Sequence, residues 1–366
     1  MGQDSSRGSF VTAADVARHA GVSRSAVSRT FTPGASVSDK VRERVLEAAA
    51  GLGYRVNRLA RGLIHAKSNI VGLVGTDLHQ PFHAACLSAL SIALLEDGFQ
   101  CMLLNAANPQ RHMGALIERV LEYRISALVV MNGAPPSRMV KECIVNGVPV
   151  ILVNKLMPGF AVDTVVTDHA SGGRAAAERL LAAGCRRLAV VSSGVRTASL
   201  LGRMQAFLSR AAEAGVPVRV WQEGPTDYCT GRAAALTLLA EDAIDGAFCV
   251  TDLMALGFLD AARLERGRRV PDDLSVIGFD DIPQAAWNAY QLTTFRQPVP
   301  LLTEQVMQII RRRAEAPDSP RAVSTLPADL VERKTVRTLA APHASATTRR
   351  ALPKASAAAR GAEVRR

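Results

Sequence analysis

From about residue 70 to residue 280 the chain repeats one pattern. A short apolar run is followed by a stretch with helical spacing, and then by another apolar run. The runs of the first series are "IVGLVG" (70–75), "CMLLN" (101–105), "ALVVM" (127–131) and "VPVILVN" (148–154), with helical stretches at about 82–97 and 111–122. A second series reads "TVV" (164–166), "RLAVVSS" (187–193), "VRVWQ" (218–222), "GAFCV" (246–250) and "LSVIGFD" (274–280), with helical stretches at 169–183, 200–214, 230–240 and 253–265. Strands that are apolar on nearly every residue have no face to offer water. They belong in parallel sheets covered by helices on both sides. Two series predict two Rossmann-like halves, and ligands of such sheets bind beyond the carboxyl ends of the strands. A ligand site is therefore expected where the two halves face each other.

Composition sharpens this picture. The chain has 366 residues, too many for one ordinary core, and 48% of them are hydrophobic, enough to fill two or three. No apolar run reaches the ~18 residues that span a bilayer. The start, "MGQDSSRGSFVTAADV", carries Asp4 and no apolar core, which is unlike a secretory signal; a cytoplasmic protein is expected. The cysteines at 86, 101, 143, 185, 229 and 249 form no C-x-x-C pair and read as small buried hydrophobes, not as a zinc site or disulfide framework. The formal net charge is +11, and it is concentrated at the ends: residues 1–67 carry +6 and residues 340–366 carry +5, leaving the long middle neutral. A small basic module on a neutral body suits a head that binds a polyanion and a body with another task.

The head reads as three short helices. Thr12 can cap the first, with Asp15 reaching back three residues later; Val16, Ala17 and Ala20 form its apolar face, and Gly21 ends it. Ser23 caps a second helix from Arg24 to about Phe31, which Thr32-Pro33-Gly34 stops. Ser38 caps a third, Asp39 to about Ala50, with Val41, Val45, Leu46 and Ala49 on one face. Helix, glycine turn, helix and a supporting helix describe a helix-turn-helix unit, whose second helix enters the major groove of DNA. Its outward residues are Arg24, Ser25, Ser28 and Arg29. Arginine can bond bidentately to guanine, and Ala26, nearer the packing side, is small enough to meet a thymine methyl.

The segment "VTAADVARHAGVSRSAVSRTFTPGASVSDKVRERVLEAAAGLGYRVNRLARGL" closely resembles the head of the lactose/galactose repressor family of bacterial transcriptional regulators. The motifs D-V-A-x-x-A-G-V-S, A-V-S-R and V-S-x-x-x-R-x-x-V-L-x-A-A-x-x-L-G-Y carry the likeness. One departure is Thr32, where many members have asparagine. The resemblance implies DNA contacts from Thr12, Ser23, Arg24, Ser25, Ala26, Ser28 and Arg29. It also implies a hinge at 57–68, "NRLARGLIHAKS", in which Asn57 caps a short helix, Ala60 lies one turn from Leu63, and Leu63 wedges into the minor groove and kinks the duplex. The body, in stretches such as "VVTDHASGGRAAAERLLAAGCRRLAVV" and "TDLMALGFLDAARLERGRRVPDDLSVIGFDDIP", resembles the rest of that family and the periplasmic sugar-binding proteins.

The implied fold is a small all-α helix-turn-helix head plus an α/β periplasmic-binding-protein-like body of two Rossmann-like subdomains. Its expected layout is a disordered start (1–11), head (12–56), hinge (57–68), body (69–338) and disordered basic tail (340–366). Within the body, the N-subdomain is expected at about 69–160 plus 298–322 and the C-subdomain at about 161–296 plus 325–338. The implied effector contacts are Phe82, His83, Asp168, Ser199, Arg203, Thr226, Thr251 and Asp280. Thr251 is a second departure, since the family commonly has asparagine there. The implied function is a sequence-specific regulator, a homodimer on a near-palindromic operator, controlled by a small sugar-like effector, with no cofactor and no metal. A repressor is the first reading and an activator of the same family the other; a transport-type solute-binding protein shares the body but has no use for the head. The chain has no G-x-G-x-x-G, Walker A, G-x-S-x-G or H-E-x-x-H motif, so no enzyme is expected.

Overall fold

The computed structural model describes residues 10–32, 34–56, 68–105, 115, 118–131, 135–240 and 244–338. The start before residue 10, the hinge with Asn57, Ala60 and Leu63, half of the helix expected at 111–122, and the tail from 340 lie outside the described residues.

The head contains α1 (Ala13–Ala20), α2 (Arg24–Thr30) and α3 (Asp39–Gly51). Both halves of the capping box form on α1: the Asp15 N–H donates to Thr12 Oγ1 at 3.3 Å, and the Thr12 N–H donates to Asp15 Oδ2 at 3.0 Å. Gly21 closes α1 in the left-handed region at φ 63°, which a residue with a Cβ resists. Val16, Val27 and Val45, one from each helix, are fully buried against one another's helices in a single small core. Two expectations for α3 fail. Ser38 stands at its start but makes no side-chain cap, and Leu46 is exposed while Ala48 takes the inward place. The buried set Val45, Ala48 and Ala49 follows the three- and four-residue spacing of a helix, which Leu46 does not share with Val45.

The chain divides into two compact units, the first of which includes the head. One runs to Thr167 and takes in Pro298–Leu326; the other consists of Asp168–Gln297 and the chain from Pro327, so the backbone passes between units three times. The first unit holds β1 (Ile70–Gly75), α4 (Pro81–Glu96), β2 (Gln100–Asn105), β3 (Ala127–Val130), α5 (Ser137–Val145), β4 (Val150–Val153) and β5 (Asp163–Thr167). After the second unit come α10 (Val299–Glu315) and β11 (Val323–Leu326), which the apolar pattern of the sequence does not announce. The sheet is wholly parallel in the order β11-β5-β4-β3-β1-β2. Helices α4 and α10 bury one face of it against Leu90, Leu302 and Val306, and α5 covers the other through Met139, Val140 and Cys143.

Strand β5 corrects the expected layout. The spacing puts "TVV" in the second series and ends the N-subdomain near 160, yet β5 pairs with β4 and with β11 in the first sheet. Two local features hold it there. Asn154, left-handed at φ 55°, turns the chain, and its Oδ1 accepts from the Thr167 N–H at 2.8 Å. Asp163 is fully buried, and its carboxylate accepts from Arg313 at 2.8 Å on both oxygens, from Arg312 at 3.0 Å and from the Ala322 N–H at 3.0 Å. Burial alone would raise the Asp163 pKa, but these hydrogen bonds and the guanidinium charges outweigh it and hold the carboxyl below its usual range.

The second unit holds α6 (His169–Ala182), β6 (Leu188–Ser192), α7 (Ala198–Glu213), β7 (Val218–Gln222), α8 (Tyr228–Leu238), β8 (Gly246–Cys249), α9 (Asp252–Asp260) and β9 (Ser275–Ile277). These strands form a parallel sheet in the order β7-β6-β8-β9, and β10 (Thr294–Arg296) pairs antiparallel with β12 (Asp329–Val331). Its helices meet backbone to backbone. A Cβ on Gly231 of α8 would stand 1.9 Å from the Met254 carbonyl oxygen of α9, and one on Gly257 would stand 2.0 Å from that of Tyr228. Of the six cysteines expected to be buried, Cys101 and Cys229 are exposed, on edge strand β2 and in the first turn of α8.

Candidate functional sites

In the head, α2 divides cleanly. Ala26, Val27 and Thr30 point inward, while Arg24, Ser25, Ser28 and Arg29 are exposed. Ala26, at 9% exposure, packs in the head and does not join the outward set, because it shares its face with Val27 and Thr30. Ser23 caps the helix, accepting from the Ala26 N–H at 3.2 Å, and its hydroxyl meets that of Ser25 at 2.8 Å. Thr12 is exposed and engaged in its capping box. The Thr32 hydroxyl donates back to the Ser28 carbonyl at 2.8 Å and closes the helix from its own side. From α3, Arg42 donates to the Thr30 carbonyl at 3.1 Å, so the outward face rides on a supported helix. The result is two arginines and two serines exposed on one capped and braced helix, with no acid among them.

The second candidate site lies in the second unit, at the carboxyl edge of its sheet. Arg203 of α7 is buried there. Its Nη1 donates to the Val250 carbonyl at 2.6 Å and to Asp280 Oδ1 at 3.2 Å, and its Nε donates to His169 Nδ1 at 3.2 Å. Its guanidinium carbon lies 3.7 Å from the centre of the Phe279 ring, within the range of a cation–π contact. Burial lowers the Arg203 pKa and the adjoining Asp280 charge opposes that shift. Asp280 also accepts from Gln297 Nε2 at 2.6 Å. Its backbone is at φ 129°, a strained value for a residue with a side chain. The loop is fastened on both sides: the Asp280 N–H donates to the Phe295 carbonyl at 2.8 Å, and the Ile282 N–H donates to Asp252 Oδ2 at 2.9 Å. Next to Asp280, Asp281 accepts from Arg296 and Arg333, each at 2.6 Å.

The other expected effector residues occupy local structural posts. Asp168 caps α6 by accepting from the Ser171 N–H at 2.9 Å, and Thr251 caps α9. The Thr226 hydroxyl meets Ser193 Oγ at 2.7 Å, and Ser199 lies in the first turn of α7. Phe82 and His83 belong to the first unit: Phe82 packs against its core, and His83 Nδ1 lies 3.2 Å from the Asp77 carbonyl. The second unit thus gathers Asp168, Ser199, Arg203, Thr226, Thr251 and Asp280 on the loops and helix starts at the carboxyl ends of its strands.

Three residues at this edge are not among those the sequence points to. His169 is pushed down to a pKa of about 2 by burial and by the Arg203 charge. Asp252 is fully buried, accepts from Thr294 Oγ1 as well as Ile282, and is pushed up to about 8 by burial and by the neighbouring Asp280 charge. Gln297 holds Asp280. Only Asp252 carries a signal, an acid in the first turn of a helix, and that signal reads as dipole pairing.

Residues 12–57 match the model of the bacterial regulatory proteins of the lacI family, and residues 177–336 match that of the periplasmic binding protein-like domain. The HTH-type transcriptional regulator GalS of Salmonella typhimurium is 33% identical over 296 residues, which cover 79% of this chain and 86% of that protein. The chain belongs to the lacI family. It is a helix-turn-helix transcriptional regulator, and the relatives it matches are DNA-binding regulators rather than enzymes. Among solved structures, the lac repressor dimer bound to operator and the anti-inducer ONPF superposes with a TM-score of 0.81 at 24% identity, covering 90% of this chain and all of that one. That likeness supports the lacI-family fold. The CelR–cellobiose complex superposes at 0.65 with 28% identity, covering 89% of this chain and 99% of that one. No helix among the described residues is long and apolar enough to cross a membrane.

Proposed function

We propose that this lacI-family regulator represses transcription as a homodimer seated on a near-palindromic operator, and that a sugar-like metabolite bound at the carboxyl edge of the second unit changes its grip. The observation that carries the DNA half is the strip of Arg24, Ser25, Ser28 and Arg29, exposed on a helix capped by Ser23 and braced by Arg42. Arginine supplies bidentate readout of guanine, and serine approaches closely without strong preference. A two-fold dimer would place two such strips on two half-sites. Ile92 and Leu95 on α4 with Leu103 on edge strand β2 are exposed apolar residues on neighbouring elements, and that face is where we place the partner copy. The work of such a protein is on chromosomal DNA, which puts it in the cytoplasm.

Arg203 and Asp280 would present fixed polar groups to ligand hydroxyls, in keeping with the sugar carried by the CelR structure. Coupling between the two sites is reciprocal, so operator binding alters effector affinity by the same factor. Selection from a random duplex library followed by fluorescence anisotropy tests the reading. The expected outcome is a near-palindromic site bound at least ~10³-fold more tightly than random DNA, with that ratio changed by cellobiose, D-galactose or D-ribose. Equal binding to selected and random DNA would overturn it.

A further inference from the structure

The carboxyl edge of the second unit leaves two buried polar atoms without a hydrogen-bond partner: His169 Nε2 and Ser192 Oγ. The state of the first is fixed by its surroundings. Arginine has donors only, so the 3.2 Å contact makes His169 Nδ1 an acceptor. A neutral imidazole carries its proton on the other nitrogen, and Nε2 is therefore an N–H donor. Burial and the Arg203 charge keep the ring neutral across physiological pH. Ser192, fully buried, closes strand β6. The preceding residue, Val191, accepts from the Val250 N–H at 2.9 Å, and the Val250 carbonyl in turn accepts from Arg203 Nη1 at 2.6 Å. One chain of hydrogen bonds thus runs from the Val191 carbonyl through Val250 and Arg203 to His169, and Ser192 is the next residue along β6 from Val191. A buried donor left unmatched is costly, and protein interiors rarely keep one unless something supplies the partner. The local charge is already balanced, because Arg203 and Asp280 pair at 3.2 Å with their side chains only 4% and 10% exposed.

We propose that His169 and Ser192 are specificity-determining contacts, and that the molecule they select is an uncharged polyol whose oxygens accept from His169 Nε2–H and share a hydrogen bond with Ser192 Oγ. This rests on the effector reading above and deepens it. An anionic ligand would meet donors here but no uncompensated positive charge, and would lose its hydration for little return.

Calorimetric titration of the full-length dimer with D-galactose, D-ribose, cellobiose and D-galacturonate tests this, with His169→Phe, His169→Gln and Ser192→Ala alongside the wild type. At least one neutral sugar should bind and galacturonate should not. His169→Phe should weaken that sugar by roughly tenfold or more, Ser192→Ala by roughly fivefold, and His169→Gln, which keeps a donor, by less than His169→Phe. Thermal melts show which variants are folded, and Ser192→Ala tests the claim should His169→Phe fail to fold. Nitrogen-15 NMR of the histidines should find His169 protonated on Nε2 alone between pH 6 and 8. Sugar binding that is as tight in folded variants as in wild type, tight binding of galacturonate, or a proton on Nδ1 would overturn the proposal alone. A wild type that binds none of the sugars would overturn it together with the effector reading.

Discussion

His169→Gln should change how the second unit's stability depends on pH. In the fold, burial and the Arg203 guanidinium push His169 down to a pKa of about 2. In the unfolded chain the same imidazole binds a proton near pH 6.5. A group whose folded pKa is depressed contributes its full stability above the unfolded value and loses it as pH falls. Here the loss begins near pH 7 and grows by ~1.4 kcal/mol for each unit below about 6.5, which makes about 2 kcal/mol between pH 7 and pH 5. Asp252 works in the opposite sense. Its pKa is pushed up to about 8 by burial and by the charge on Asp280, so its contribution improves as pH falls through the same window. The wild-type profile is therefore flattened by two compensating groups, and the diagnostic quantity is the difference between wild type and His169→Gln, from which Asp252 cancels. Trp221 and Trp287, the chain's two tryptophans, both lie in the second unit, so denaturant unfolding followed by their fluorescence reads that unit directly. The stability difference should shift against the wild type by about 2 kcal/mol on going from pH 7 to pH 5. Parallel profiles for the two proteins would show that His169 titrates alike in both states, and the reasoning from its burial would fall.

Three further outcomes are expected. Arg29→Ala should cost about 1–3 kcal/mol of operator affinity and relax preference at one base position; an equal loss on every sequence in competition binding would make Arg29 a phosphate contact instead. Gly231→Ala should destabilise the second unit by about 2 kcal/mol or more, because the new Cβ would lie 1.9 Å from the Met254 carbonyl oxygen and α8 and α9 must part; an unchanged denaturation midpoint would refute that packing. Arg313→Met leaves Asp163 buried with weaker partners and should cost about 3–5 kcal/mol in the first unit, as read by hydrogen exchange on β5; exchange at the wild-type rate would show that Arg312 and Arg321 suffice.

What the sequence discloses is local. Thr12, Asp15 and Gly21 sit within one helix length of one another, and their cap and stop are legible from spacing alone. The apolar runs mark the parallel strands for the same reason: a strand buried on both faces has to be apolar throughout. Allegiance between distant segments is not legible. "TVV" looks alike in either sheet, and what assigns it to the first is Asp163 meeting Arg313 from 150 residues further along. Arg203 and Asp280 can each be placed at a strand's carboxyl edge, but their pairing across 77 residues, and the contact of Arg203 with the neutral histidine that opens α6, depend on three-dimensional approach. Ala26 packs inward, on the side where its spacing with Val27 places it, while alanine's small size alone would suit either face of a helix.

The threefold passage of the backbone between units also sets an order of manufacture. When a ribosome has released the chain as far as Thr167, the first sheet still lacks α10 and β11, and Asp163 sits in a half-built wall with its arginines not yet synthesised. Every residue of Asp168–Gln297 must emerge before those missing pieces arrive. The second unit is interrupted in its turn: β10 waits for β12 and Thr293 waits for Thr335, so the first unit is completed at Leu326 and the second only after it. A gene truncated anywhere before the codon for Leu326 would leave the opening half of the body without its outermost strand intact.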